Sequence, residues 1–167
     1  VLDLVCADMA SRHAALPRVA VNISGVELAR PDFARRIVAT LERHGLDPSR
    51  LVLEVTETAV MPQDASIATE LSGLRDLGVG LHVDDFGTGF SSISLLRDLP
   101  VTGLKLDRSF VNDLTAVGGA PAALASGLAG LVSGLGLTGI AEGIETQEQL
   151  DLLRDLGWEN GQGFLLG

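Results

Sequence analysis

Six short apolar runs, each with a polar side chain near its C-terminal end, constrain the fold more than any other feature. They cover 18–24, 51–56, 80–84, 102–107, 138–142 and 161–165. Between them lie stretches with apolar residues at helical spacing that stop on glycine. Phe33, Ile37 and Leu41 precede Gly45, Leu71, Leu74 and Leu77 precede Gly78, and Leu150, Leu153 and Leu156 precede Gly157. Pro31 suits the first turn of the helix that follows it. Further helices are predicted over 2–14, 91–98 and 120–135, the last rich in Gly, Ala and Leu. Strands that alternate with helices imply parallel pairing with helical crossovers.

Side chains alternate between the two faces of a strand. Val19, Val21 and Ile23 oppose Ala20, Asn22 and Ser24, and Leu51, Leu53 and Val55 oppose Val52, Glu54 and Thr56. Leu81 and Val83 oppose His82 and Asp84, and Leu104 and Leu106 oppose Lys105 and Asp107. Ile140 shares a face with Glu142, and Gln162 with Phe164. Each strand thus has an apolar face for helices and a second face with a polar residue toward its C-terminal end. That end carries the active sites of (β/α)8 barrels. An open doubly wound sheet also places ligands there, but accounts less readily for a polar residue on every strand. The predicted class is α/β, a partial (β/α)8 TIM-type barrel with about six strands, since the complete form has eight and typically about 250 residues.

The charge balance narrows the chemistry. With 22 acidic against 12 basic residues, the formal net charge of -10 disfavours nucleic-acid polymers and anionic membranes as partners. An anionic substrate then needs a local cationic device. Cys6 is the only cysteine, so no intrachain disulfide forms, and a reducing, cytoplasmic compartment is expected. No apolar run reaches the roughly 18 residues of a membrane-spanning helix, and no basic region of a signal peptide opens the chain. Without an initiator methionine, 1–167 is expected to be a single domain, N-terminally incomplete, excised from a longer protein.

Two segments localise the chemistry. Leu81-His82-Val83-Asp84-Asp85-Phe86-Gly87-Thr88-Gly89 sets two adjacent carboxylates at a strand end before a glycine-rich loop. Such a pair is kept where cations or water compensate it. Lys105 lies between Leu104 and Leu106, a setting in which a charge is seldom buried without a partner. Together they suggest a site that binds metal and handles phosphate. For each residue a plainer role exists: Asn22 and the Asp pair as caps of turns or helices, Glu54 as a solvated strand end, Lys105 as a structural counter-charge, Gln162 as a polar residue hydrogen-bonded inside a barrel.

Asn22-Ile23-Ser24, Glu54-Val55-Thr56-Glu57, the run from Asp84 to Ser92, Lys105-Leu106-Asp107, the run from Ala141 to Thr146 and Gly161-Gln162-Gly163-Phe164 occur in this order. The set closely resembles the EAL-domain family of cyclic di-GMP phosphodiesterases, from about Val19 to the C-terminus. The resemblance implies a variant (β/α)8 barrel that hydrolyses cyclic di-GMP to linear pGpG with two Mg2+ or Mn2+ ions. It implies metal ligands at Asn22, Glu54, Asp84 and Asp85, with Asp84 bridging. It also implies catalytic roles for Lys105, as the charge stabiliser, and Glu142, as general base or aid to the second metal. Asp107 and Glu145 are expected to support the site, and Gln162 to contact substrate or a metal-bound water. Glu57 is expected to anchor the loop after Asp85. That loop, 86–92, is the candidate homodimer contact. The Glu-Ala-Leu signature belongs well upstream of Asn22, with an arginine that contacts substrate phosphate, and the 21 residues before Asn22 do not contain it. The 167 residues by themselves are therefore expected to be poorly active.

Two rival readings differ in class: a catalytically inactive EAL-like module for cyclic di-GMP binding, regulation or dimerisation, and an enolase-like barrel that uses lysine and Mg2+. The adjacent Asp pair and its loop disfavour the second. His82 is read as core, His13 and His44 as exposed on helices, and Cys6 and Trp158 as packing residues.

Overall fold

The structure, a computed structural model, describes residues 1–11, 18–60, 65–87, 96, 99–114 and 119–167. Its elements are α1 (Leu2–Ser11), β1 (Val19–Ile23), α2 (Gly25–Leu28), α3 (Phe33–His44), a 3-10 turn (Pro48–Arg50), β2 (Leu51–Thr56), α4 (Glu57–Val60), α5 (Ala65–Asp76), β3 (Gly80–Phe86), β4 (Gly103–Leu106), α6 (Arg108–Asn112), α7 (Ala120–Gly134), β5 (Thr138–Ala141), α8 (Gln147–Asp155) and β6 (Asn160–Gly161). Strand order follows chain order, and β1–β2, β4–β5 and β5–β6 pair in parallel. The helix predicted over 91–98 falls outside the described residues except for Leu96, and so do His13 and the loop positions 88–92.

The described residues form two compact units, one of 1–11, 18–60 and 65–82 with 96, 99 and 100, the other of 83–87 with 101–114 and 119–167. In the first, the stripe Phe33, Ile37 and Leu41 is buried on α3, and Leu51, Leu53 and Val55 are buried on β2. Gly45 ends α3 in a left-handed conformation (φ 61°) that returns its N–H to the Leu41 and Glu42 carbonyls. Pro31 does not open α3 as predicted. The N-cap is Asp32, itself left-handed, so Pro31 stands in the turn before the helix. Cys6 and Met9 of α1 are buried. Asp3 Oδ1 lies 2.9 Å from both His44 Nε2 and Arg43 Nη1, which ties α1 to α3. The His44 contact, aided by Arg43 and opposed by burial, holds the Asp3 carboxyl below its ordinary value.

In the second unit Val83, Leu104 and Leu106 are fully buried, the apolar faces predicted for β3 and β4. Ala122, Ala125, Ala129 and Val132 make the buried stripe of α7. Trp158 is buried, and its Nε1 donates to the Ala125 carbonyl at 3.1 Å, so it packs as predicted. The last strand is shorter than predicted. β6 is only Asn160–Gly161, although Gln162 still bonds to the Ala141 carbonyl and the Ile144 N–H. Leu165 N–H then reaches the Ile144 carbonyl, and Leu166 N–H closes a turn on Gly163. A Cβ at Gly163 would collide with the Ile144 backbone. Chain reversal over Ile144, and not extension, therefore follows Gln162.

Candidate active site

β3 delivers Asp84 and Asp85 by breaking the rule of alternation. Neighbouring side chains on a regular strand point to opposite faces. Asp85 instead adopts a left-handed conformation, φ 55°, which an aspartate tolerates better than most residues. Its N–H donates to Asp84 Oδ1 at 3.0 Å. One carboxylate oxygen from each of Asp84, Asp85 and Glu142 then lies within 4.8 Å of the others. Three convergent carboxylates are the donor set a hard divalent cation takes, so the residues fit a metal centre. His82, below Asp84 on the same face, is buried as core.

β4 supplies the counter-charge. Lys105 is 4% exposed, and its Nζ sits 3.2 Å from Asp84 Oδ1 and 2.6 Å from Glu142 Oε1. The β4–β5 ladder carries one residue past the assigned strand, because Glu142 N–H donates to the Leu106 carbonyl. Gln162 Nε2 donates to Glu142 Oε1 at 2.7 Å. Glu142 is thus held from two sides, by an ammonium and by an amide.

Asp107 and Glu145 are placed otherwise. Asp107 Oδ1 accepts the N–H and hydroxyl of Ser109 and caps α6. Burial pushes its carboxyl up, but the Ser109 and Arg108 hydrogen bonds and the Arg108 charge outweigh this and leave it lowered. Glu145 is exposed, and its N–H bonds to Gln149 at the capping box of α8.

Asn22 and Glu54 are register partners on the β1–β2 ladder. Glu54 is buried while Asn22 is exposed. They line one open cleft with Ser24, Glu27, Thr56 and Thr58. Ser24 caps α2 and so sets the turn that follows Asn22. Glu57 is buried at the start of α4, and most of the loop it was expected to anchor lies outside the described residues.

Burial, with repulsion from Asp84 and then Asp107, raises the Asp85 carboxyl above its ordinary value against the pull of Lys105 and Arg108. Between the ordinary and the raised value the folded chain holds more protons than the unfolded one, so this group lowers stability as pH rises through that window. Asp85→Asn in the metal-free chain is expected to raise Tm by about 2 °C near neutral pH, allowing for solvent screening of an exposed group. The gain should vanish below the ordinary carboxylate value of about 4. Scanning calorimetry at both pH values checks it, and an Asn variant that melts below wild type at neutral pH would contradict it.

The family model for the EAL domain matches residues 1–167. The chain belongs to the EAL domain family. MucR of Pseudomonas aeruginosa, a bifunctional diguanylate cyclase/cyclic di-GMP phosphodiesterase, is 45% identical over 150 residues, 89% of this chain and 22% of the relative. The cyclic di-GMP phosphodiesterase NbdA of the same organism is 41% identical over 168 residues, 99% of this chain and 21% of the relative. The chain therefore spans about a fifth of the length of these curated relatives. The structure of PaMucR phosphodiesterase with c-di-GMP matches with a TM-score of 0.91 at 41% identity, covering 99% of this chain and 73% of that one. A manganese/cyclic di-GMP complex of Klebsiella pneumoniae BlrP1 matches at 0.89 and 31% identity, covering 98% and 42%. The EAL domain thus has the expected α/β fold, part of a (β/α)8 barrel. Among the described residues no helix is long and apolar enough to cross a membrane.

One cation near the carboxylate cluster, Arg108, was not singled out from the sequence, and its charge acts on Asp85 and Asp107. Arg108 follows Lys105-Leu106-Asp107 directly and opens α6, at a strand's C-terminal end where barrel sites gather. That position was the available signal.

Proposed function

We propose that this EAL domain hydrolyses cyclic di-GMP to linear pGpG. The observation that carries the reading is the buried Lys105 paired with Asp84 and Glu142 beside Asp85, in a chain whose relatives are cyclic di-GMP phosphodiesterases. Asn22, Glu54, Asp84 and Asp85 would hold two divalent ions, Mg2+ or Mn2+. When bound, such ions neutralise charge on the phosphodiester and acidify water. Glu142, oriented by Lys105 and Gln162, takes the proton of the attacking water. Water oxygen bonds to phosphorus, the bond from phosphorus to one ribose 3′ oxygen breaks, and that oxygen takes a proton from solvent and leaves as a hydroxyl, which opens one of the two phosphodiester linkages. The Lys105 ammonium stabilises charge that builds on the phosphoryl oxygens. Glu57, Asp107 and Glu145 act behind these groups, Asp107 through the start of α6. A homodimer contact through 86–92 and a cytoplasmic site of action complete the reading.

The test incubates the complete domain and the 167-residue chain with cyclic di-GMP, with excess Mg2+ or Mn2+ or with chelator. Chromatography should show pGpG only with metal, and far less from the shorter chain, which lacks the Glu-Ala-Leu carboxylate. Tight binding by the complete domain without turnover would replace the enzyme by a nucleotide-binding module. Absence of both would end the reading.

A further inference from the structure

The first turn of α6 is wedged between the two segments that carry the carboxylates. Gly143 follows Glu142 with φ 72°, and a Cβ there would stand 2.5 Å from Arg108 Cβ. Gly87 lies two residues after Asp85, and a Cβ there would stand 2.7 Å from the Phe110 ring. These close approaches set the Cβ of Arg108 against Gly143, the residue after Glu142, and Arg108 is exposed with its charge felt at Asp85. Lys105 is buried and already engaged with Asp84 and Glu142. The Arg108 N–H bonds to Asp107, but its guanidinium makes no hydrogen bond or ion pair with the described residues, although its charge acts on both Asp85 and Asp107. A phosphate approaching several carboxylates is repelled, and an uncommitted cation at their rim offsets this. The guanidinium fork also matches two phosphate oxygens at once.

We propose that Arg108 grips a phosphate group of the nucleotide and positions it over the carboxylate cluster, an inference that rests on the cyclic di-GMP reading above. Arg108 touches substrate and takes no part in proton transfer, so its effect belongs in binding.

The experiment compares wild type, Arg108→Ala and Arg108→Lys in the complete domain. For Arg108→Ala, KM for cyclic di-GMP should rise about tenfold while kcat stays within about threefold. Arg108→Lys should fall between the two, since it keeps the charge and loses the fork. The wild-type KM should climb more steeply with salt than that of the Ala variant. An unchanged KM in an active Arg108→Ala enzyme overturns the inference and leaves the proposed function standing. If wild type does not turn over cyclic di-GMP, the function reading falls, and Arg108 is read by calorimetric titration with pyrophosphate at low salt. About tenfold weaker binding by Arg108→Ala supports the anion grip. Equal binding, or none by wild type, overturns it.

Discussion

Asp84→Asn is expected to lower turnover of cyclic di-GMP by the complete domain by at least about a thousandfold, some 4 kcal/mol of transition-state stabilisation. Asp84 is the junction of the cluster, where Oδ1 faces Lys105 Nζ at 3.2 Å and accepts the Asp85 N–H at 3.0 Å. Asparagine keeps the shape but loses the charge that a shared divalent ion and Lys105 both need. The same change relieves repulsion with Asp85 but removes one of the two carboxylates paired with the buried Lys105, so the metal-free variant should melt within a few degrees of wild type. Loss of activity without loss of fold separates a chemical role from a structural one. Turnover within a few-fold of wild type at saturating Mg2+ would remove Asp84 from the proposed metal bridge.

Lys105→Met should act on stability as well as chemistry. The lysine is 4% exposed, and its partners Asp84 and Glu142 have side chains only 15% exposed. Methionine fills the space of the stem and strands both carboxylates without their cation, which costs about 3 kcal/mol. For a chain of this size that is a fall in Tm of roughly 6–12 °C without metal. Excess Mn2+ should restore part of it by supplying positive charge to the same oxygens. Turnover should fall at least about a hundredfold. Thermal melts with and without Mn2+ read the stability effect. A metal-free variant that melts with wild type would mean that the ion pairs carry no net stabilisation.

Much of the fold was legible because its determinants are local. The stripe Phe33, Ile37 and Leu41 with Gly45 behind it specifies α3 and its end within a dozen residues. The period-two faces of β2 and β4 name Leu51, Leu53, Val55, Leu104 and Leu106 as buried, but the structure buries Val52, Glu54 and Lys105 of the opposite faces as well. The departures from expectation have both local and distant causes. Asp32 displaced Pro31 from the helix start. The end of β6 is set by close approach to the Ile144 backbone, which no period in 161–165 reveals. Asp107 has the strand parity of Lys105, and Ser109 two residues on also makes it the cap of α6.

The sequence by itself determined the α/β order, the polar residue at each strand end and the residue types of a metal and phosphate site. Only the tertiary structure decided how the carboxylates meet. The left-handed backbone at Asp85 brings adjacent side chains together where alternation would part them. The partners of Lys105 come from β3 and the end of β5, so its pairing depends on contacts between segments remote in sequence. Periodicity is a property of a segment and can be read along the chain. Ion pairing and close backbone approach are properties of distant segments held at ångström distances, which only packing specifies.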